Sequence, residues 1–322
     1  MKKYLVTGGA GFIGSHLVHA LGRSPDVVSG EQGAFVRILD NFSTGRRENV
    51  ERWKAEGLKV EILEGDLRNS AKVAEAVDGI DVVFHEAAFV SVPQSMDDPP
   101  ACFETNQHGT ETLLEGARKA GVGRVVLASS AAVYGDSDTL PLDEQTALHP
   151  LSPYAVSKRV NELYAEMYTR SFGLDVVALR YFNVYGPRQR PDSMYAAAVP
   201  IFTRRLCEGK PLTIYGDGGQ TRDLVYVGDV VRANLLASEH PAAPGQVFNV
   251  CTGEETSVTD LAKNLMRFFP TAPTPEFAPA RPGDIYRSVG SPRKAAEMLG
   301  FRAQTSLSNG LEAVVKWMKE GS

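Results

Sequence analysis

VTGGAGFIG, residues 6–14, decides the fold. It follows a short β-rich run, Tyr4–Thr7, and opens an amphipathic stretch over 12–23. The glycines at 8, 11 and 14 read as GxxGxxG, and those at 9, 11 and 14 also read as GxGxxG. Glycines let the backbone turn tightly and approach a pyrophosphate, which sits at the N-terminus of the helix that follows. The same pattern also serves as a plain strand-to-helix turn, so the surrounding residues must decide between the two.

Working outward, short β-rich runs alternate with helical patterns. The strand candidates are Tyr4–Thr7, Phe35–Leu39, Lys59–Leu63, Asp81–Phe84, Arg124–Ala128 and Asp175–Arg180. Amphipathic stretches lie near 12–23, 70–77, 100–120 and 153–171. This alternation predicts an α/β fold, a Rossmann-like doubly wound parallel sheet covered by helices on both faces. After about residue 181 the pattern loosens: helices are expected near 195–208, 228–239, 292–299 and 306–319, and strands at 245–250 and in the middle of the Pro-rich 270–283. We therefore expect a dinucleotide-binding domain over 1–180 and a smaller α/β substrate-binding lobe over 181–322. A segment at about 223–250 is a candidate to return to the sheet.

The totals narrow the class. The 322 residues are 43% hydrophobic with a net charge of −5, and no basic patch stands out, so a nucleic-acid partner is not expected. Cys102, Cys207 and Cys251 are odd in number and far apart, which fits reduced thiols in a cytoplasmic protein. No Cys/His cluster suggests a metal. The apolar run after the first lysines breaks at Gly8-Gly9, unlike a signal peptide, and no apolar run of about 18 residues suggests a membrane span.

Context favours the dinucleotide. Phe12 and Ile13 open the helix beside the loop. Asp40 ends the second strand, where an acid accepts hydrogen bonds from ribose hydroxyls and repels a 2′-phosphate, so NAD is favoured over NADP. Asn41, Ser43, Thr44 and Gly45 follow it. Arg46 and Arg47 keep NADP open, and the long gap before Asp40 reads as an extended loop over Arg23–Ala34. Asp66 and Leu67 follow the third strand, where the acid can reach an adenine amino group. HEAA at 85–88 places small Ala87 and Ala88 where a cofactor must come close.

Chemistry enters with Tyr154 and Lys158, which share a helix face. An ammonium beside a phenol lowers its pKa, and a phenolate can take a proton from a sugar hydroxyl as hydride leaves for nicotinamide. An exposed Tyr–Lys pair is the bland alternative. A strand that ends on Ser129 and Ser130 argues against it.

These motifs, with DNFSTG at 40–45, Asn106 of TNQHGT, SSAAVYG at 129–135, RYFNVYGPRQ at 180–189 and TRDLVYVGD at 221–229, resemble the extended short-chain dehydrogenase/reductase family in the family's order. Within it the chain is most similar to UDP-hexose 4-epimerases, above all those acting on UDP-N-acetylglucosamine. The resemblance implies a UDP-sugar oxidised and re-reduced at C4 through a transient 4-keto sugar, with tightly held NAD regenerated each turnover. It implies that Ser130 bonds the sugar's 4-oxygen beside Tyr154, that Lys158 also binds the nicotinamide ribose, and that Asn106 orders the helix carrying the site. Ser129 is a structural strand-end residue or lines the pocket. Tyr181 packs near the nicotinamide or in the core.

Toward the substrate, Asn183 resembles a diphosphate contact. Arg222 and Arg281 are candidates for the diphosphate charges, against a reading as surface ion pairs. Asp284 is expected at the uridine ribose. Ala198 and Val199 in MYAAAVPIF, and Tyr215 in LTIYGDG, resemble uracil-pocket walls, or are ordinary core. Ser91 is a further sugar contact. Ser288 stands where glucose-restricted epimerases resemble one another in carrying tyrosine, which implies room for a 2-acetamido group. Ser291 departs from the aspartate usual in relatives.

Related dehydratases need an acid pair just after the hydroxyl residue, and UDP-glucuronate decarboxylases a glutamate two residues on. Here those positions are Ala131 and Ala132. A UDP-glucuronate 4-epimerase and a non-catalytic NAD-binding regulator remain as rivals. Relatives dimerise through the helices near 100–120 and 153–171, so a homodimer is expected, with Leu163 and Met167 either on that face or against their own sheet.

Overall fold

The computed structural model describes residues 2–23, 34–191, 197–280 and 285–320. Seven parallel strands form its centre: β1 Lys3–Thr7, β2 Phe35–Asp40, β3 Val60–Glu64, β4 Val82–His85, β5 Arg124–Ser130, β6 Asp175–Tyr181 and β7 Val247–Val250. Their spatial order is β7-β6-β5-β4-β1-β2-β3. The order reverses between β1 and β4, and in such sheets the crevice beyond the carboxyl ends at the reversal is where ligands bind. The glycine loop leaves β1 at that point.

The strands are nearly continuous apolar runs because both faces are covered. One face packs Val6, Ile38 and Val126 against Leu17 and Val18 of the helix Phe12–Arg23 and Ala233 of the helix Val227–Glu239. The other packs Leu5, Val83 and Val125 against Leu113 and Leu114 of Gly109–Ala120 and Tyr168 of Pro153–Phe172. A third cluster, with Val199, Phe202, Leu261 and Leu311, forms the core of the C-terminal lobe.

Several expectations change. The stretch 100–120 is not one helix: Pro99–Phe103 and Gly109–Ala120 flank a π-helical turn, Glu104–His108, centred on Asn106. β5 continues through Ser129 and Ser130, paired with Arg180 and Tyr181, so both serines lie within the strand. Helices Arg47–Ala55 and Val258–Met266 were not foreseen, although Leu261, Ala262 and Leu265 carry helical spacing. The middle of 270–283 is a strand as expected, Glu276–Ala278, and it pairs parallel to Thr213–Tyr215. Of the loop expected over 23–34, residues 24–33 lie outside the described residues. No helix among the described residues is long and apolar enough to cross a membrane, and no metal-ligand cluster occurs among them.

Candidate active site

The glycine loop is shaped for close approach. Gly8 has φ +66°, and a Cβ there would lie 2.7 Å from the Ala87 backbone. A Cβ on Gly14 would run into the Gly8 carbonyl oxygen. Gly11 N–H donates to Gly8 O at 3.0 Å, which closes the turn. Next to the loop lies a cavity of about 650 Å³. It is bounded at one end by Asp40 and Asp66 and at the other by Ser130, Tyr154 and Lys158. The bare glycine cradle, the helix start at Phe12 and the cavity's size fit a dinucleotide.

Asp40 Oδ2 accepts from Ala10 N–H at 2.9 Å and Oδ1 from Phe42 N–H at 2.8 Å. Burial raises its pKa while these two bonds pull it down. Asp66 is gripped by Arg68 and accepts from Asn41 Nδ2 at 2.9 Å, and those bonds hold its carboxyl well below the usual range. Arg47 Nη2 donates to both Glu64 carboxylate oxygens, at 2.8 and 2.9 Å, and its guanidinium lies 4.2 Å from the Phe42 ring centroid. That engagement weakens its case as a 2′-phosphate ligand.

At the catalytic end, the helix Pro153–Phe172 begins on Ser152, whose side chain caps Ala155 N–H. Proline at N1 lacks only an N–H that the helix would leave unpaired. This start delivers Tyr154 and Lys158 to the cavity. Ser130 Oγ accepts from Ala132 N–H at 3.2 Å and is hydrogen-bonded to Tyr154. Lys158 Nζ donates to Ala128 O at 2.9 Å and lies 5.8 Å from the Tyr154 ring centroid.

The expected phenolate does not follow from these groups alone. Burial pushes Tyr154 up to about 12, against the pull of the Ser130 bond. Lys158 is itself brought down to about 8 by burial. Desolvation penalises the charged form of both groups and is the largest cause in each. A phenolate here needs a further positive charge nearby, such as an oxidised nicotinamide.

Asn106 holds the site without lining it. Its Oδ1 accepts from Phe89 N–H at 2.7 Å, and its Nδ2 donates to Phe89 O at 3.0 Å and Ser157 Oγ at 2.9 Å. The π turn thus ties the loop after β4 to the catalytic helix. Ser129 does both things expected of it: it lines the cavity, and its hydroxyl donates to Glu162 Oε1 at 2.6 Å as a strand-end tie. Gly45, like Asn106, misses the cavity wall; it packs on Asp40, whose Oδ1 a Cβ there would approach to 2.7 Å. The other residues assigned to the dinucleotide all line the cavity, and so does Ser91, which caps Gln94 N–H.

A second cavity, about 510 Å³, adjoins the first through shared Val184 and Ala197. Asn183, Ala198, Val199, Tyr215 and Arg222 line it. Arg281 and Asp284 lie outside the described residues, as do the first residues of MYAAAVPIF. Ser288 lines neither cavity; its carbonyl accepts from Asp223 N–H at 2.9 Å.

Three features escaped the sequence reading. Glu86 lines the first cavity, bonded to Tyr181. Arg188, at φ +67° and buried, also lines it and donates to Ser15 O at 2.9 Å. Beneath the site, Glu162 and Arg180 form a buried ion pair at 2.7 Å. The acid inside HEAA and the arginine after Gly186-Pro187 were the available signals.

Known proteins agree with this architecture. A family model described as the NAD dependent epimerase/dehydratase family matches residues 4–251. A UDP-glucose 4-epimerase from Mycolicibacterium smegmatis is 41% identical over 99% of both chains. Among solved structures, the UDP-glucose 4-epimerase of Thermotoga maritima with UDP-glucose superposes with TM-score 0.90 at 38% identity, over 99% of each chain. The UDP-N-acetylglucosamine 4-epimerase of Methanobrevibacter ruminantium, in complex with UDP-N-acetylmuramic acid, gives 0.92 at 35%, over 100% of this chain and 99% of that one. The match runs through the glycine loop and the serine–tyrosine–lysine end alike, and the chain belongs to the NAD dependent epimerase/dehydratase family.

Proposed function

We propose that the protein interconverts UDP-hexoses at C4, accepting both UDP-glucose and UDP-N-acetylglucosamine. The observation that carries this reading is the convergence of Ser130, Tyr154 and Lys158 on one end of the cavity, with Ala131 and Ala132 following Ser130. By the resemblance, a dehydratase would need an acid pair at those positions and a decarboxylase a glutamate at the second of them. The acid that does reach this end, Glu86, comes from the loop directly after β4 and is engaged with Tyr181.

When bound along the glycine loop, NAD supplies a hydride acceptor and donor. Gly8, Gly11 and Gly14 leave room for its pyrophosphate, Asp40 faces the adenosine ribose, and Lys158 the nicotinamide ribose. Tyr154 takes the proton of the sugar 4-hydroxyl, directly or through Ser130, and returns it when the hydroxyl reforms on the other face. Lys158 contributes positive charge beside the phenol. Asn183, Arg222 and the walls at Val199 and Tyr215 hold the UDP part in the second cavity. Anchored there, the nucleotide stays fixed while the keto sugar turns over.

The reading is tested by following UDP-N-acetylglucosamine with the purified protein, without added NAD, by proton NMR of the anomeric signals. A new UDP-N-acetylgalactosamine signal is expected. No conversion of either this substrate or UDP-glucose, even with added NAD, would sink the proposal; conversion of UDP-glucuronate alone would favour its epimerase instead.

Sugar choice is proposed to rest on Ser288 on the strength of the resemblance alone, since Ser288 lines neither cavity. Ser288→Tyr is expected to keep UDP-glucose turnover and to lower that of the acetamido sugar by at least about tenfold, because overpacking costs roughly 1–3 kcal/mol. Equal loss of both substrates, or of neither, would remove Ser288 from this role.

The reading includes a homodimer through Pro153–Phe172 and the helix Gly109–Ala120. Leu163 and Met167 are 47% and 37% exposed, so they do not face their own sheet. Leu163→Glu with Met167→Glu is expected to halve the mass seen by sedimentation; an unchanged mass argues against this face.

A further inference from the structure

The reaction described so far leaves one carboxyl of the catalytic end without a task. Glu86 follows β4 directly, next to Ala87, which backs the glycine loop. Its Oε1 accepts from Tyr181 Oη at 2.7 Å, and Tyr181 Oη accepts from Asn234 Nδ2 at 2.8 Å. The direction of this chain is fixed. Asn234 Nδ2 also donates to Val230 O at 2.9 Å, and a carbonyl can only accept, so the amide turns its NH₂ toward the tyrosine. The Tyr181 proton therefore lies toward Glu86, which is held as an acceptor, the natural role of a carboxylate. Glu86 and Lys158 act on one another, each favouring the charged form of its partner, and Glu86 also holds Tyr154 toward its neutral form.

We propose that Glu86 is a positioning residue for the redox balance of the bound cofactor: its carboxylate, oriented by Tyr181 and Asn234, favours the cationic oxidised nicotinamide over the neutral reduced one. The inference rests on the nicotinamide lying at the Ser130–Tyr154–Lys158 end, as in the proposed function. A negative charge facing a site whose cofactor loses its own positive charge on reduction stabilises the oxidised form by simple electrostatics. The resting protein then carries NAD rather than NADH, and reduced cofactor is driven to give its hydride back to the keto sugar rather than to accumulate. Tyr181 and Asn234, far apart in sequence, serve one purpose: they aim the carboxylate, and the Tyr181 bond favours its ionised form against burial.

The balance depends on pH. Burial pushes Glu86 up to about 7, against the Tyr181 bond and Lys158. The groups that face it are Lys158 and Tyr154 from the catalytic helix and Tyr181 from β6; Asn234 from the helix Val227–Glu239 does not titrate. His85, beside it on its own strand, bonds Thr7 and Thr110, and burial takes it down to about 3, so it is silent near neutrality. As pH falls through neutrality Glu86 takes a proton and the preference for oxidised cofactor is lost.

The test equilibrates purified protein with defined mixtures of NAD⁺ and NADH and reads the bound reduced fraction by nicotinamide absorbance. Glu86→Gln keeps an acceptor for Tyr181 and removes only the charge. It is expected to raise the bound NADH-to-NAD⁺ ratio roughly tenfold at pH above neutrality and to flatten its pH dependence. Tyr181→Phe, which removes a bond that lowers the Glu86 pKa, is expected to move the pH dependence to higher pH. An unchanged ratio in Glu86→Gln, or a wild-type ratio that does not vary with pH, overturns the proposal while leaving the epimerase reading intact. Failure of the wild-type protein to bind either form sinks both.

Discussion

Tyr154→Phe is expected to lower kcat for C4 epimerisation by about 10²–10⁴-fold, the usual worth of a positioned general acid–base. Cofactor content is expected to stay unchanged. The substitution deletes one hydroxyl and keeps the ring. Ser130 retains its bond to Ala132 N–H, Lys158 its bond to Ala128 O, and the Tyr154 backbone its bond to Ser95 Oγ. Stability should fall by no more than about 1 kcal/mol, the net value of one hydrogen bond. The pH profile separates this role from mere packing. Burial holds Tyr154 near 12 in the protein alone, so any added positive charge works downward from there. The deprotonated phenol is the active form, so the wild-type rate rises with pH until the phenol has titrated or until Lys158, near 8, loses its own charge. The residual rate of Tyr154→Phe should lack the rise. A variant that keeps wild-type kcat would remove Tyr154 from the chemistry.

What the sequence shows of this site follows from how local each feature is. The glycine loop, Asp40 and the Tyr154–Lys158 spacing are legible because strand end, turn and helix face are set by contiguous residues. Glu86 is present in the quoted HEAA, yet its meaning depends on Tyr181 and Asn234, which only the sheet brings to it. The pKa of Tyr154 fails for a related reason: a nearby lysine can be read from spacing, but desolvation depends on what the fold stacks over the phenol. The π turn at Asn106 is hidden because an apolar period does not reveal one inserted residue. Ser129 lines the cavity, but that its hydroxyl is spent on Glu162 depends on a helix 33 residues away, which the strand end alone does not reveal. Glu162 and Arg180 themselves look ordinary in sequence, one as a helix-surface acid and the other as the last polar residue of a strand.

The structure shows why that last pair matters, and Arg180→Met is the sharpest stability change we expect. Arg180 and Glu162 are each 2% exposed. Arg180 donates to both Glu162 oxygens, at 2.7 and 2.9 Å, and to Tyr134 Oη at 2.8 Å. Tyr134 continues to Asn249 Oδ1 at 2.7 Å, and Ser129 completes the shell around Glu162. The network therefore joins β5, β6, β7 and the catalytic helix directly beneath Ser130 and Lys158. Removing the arginine leaves a carboxylate in the interior with Ser129 and the half-exposed Arg159, at 3.0 Å, as its remaining partners. Breaking a buried pair from one side costs roughly 3–5 kcal/mol, and the remaining Arg159 contact places the effect near the lower end, at about 3 kcal/mol. Urea denaturation should show this as a lower midpoint at unchanged slope. Pairing Arg180→Met with Glu162→Leu removes both charges together and should restore most of the loss, since apolar replacement of a whole buried pair is often neutral. The stability cost is thus that of an orphaned charge rather than of a missing contact. If the double variant were as unstable as Arg180→Met alone, the network would be holding the site by shape, through Tyr134 and Asn249, and not by charge pairing.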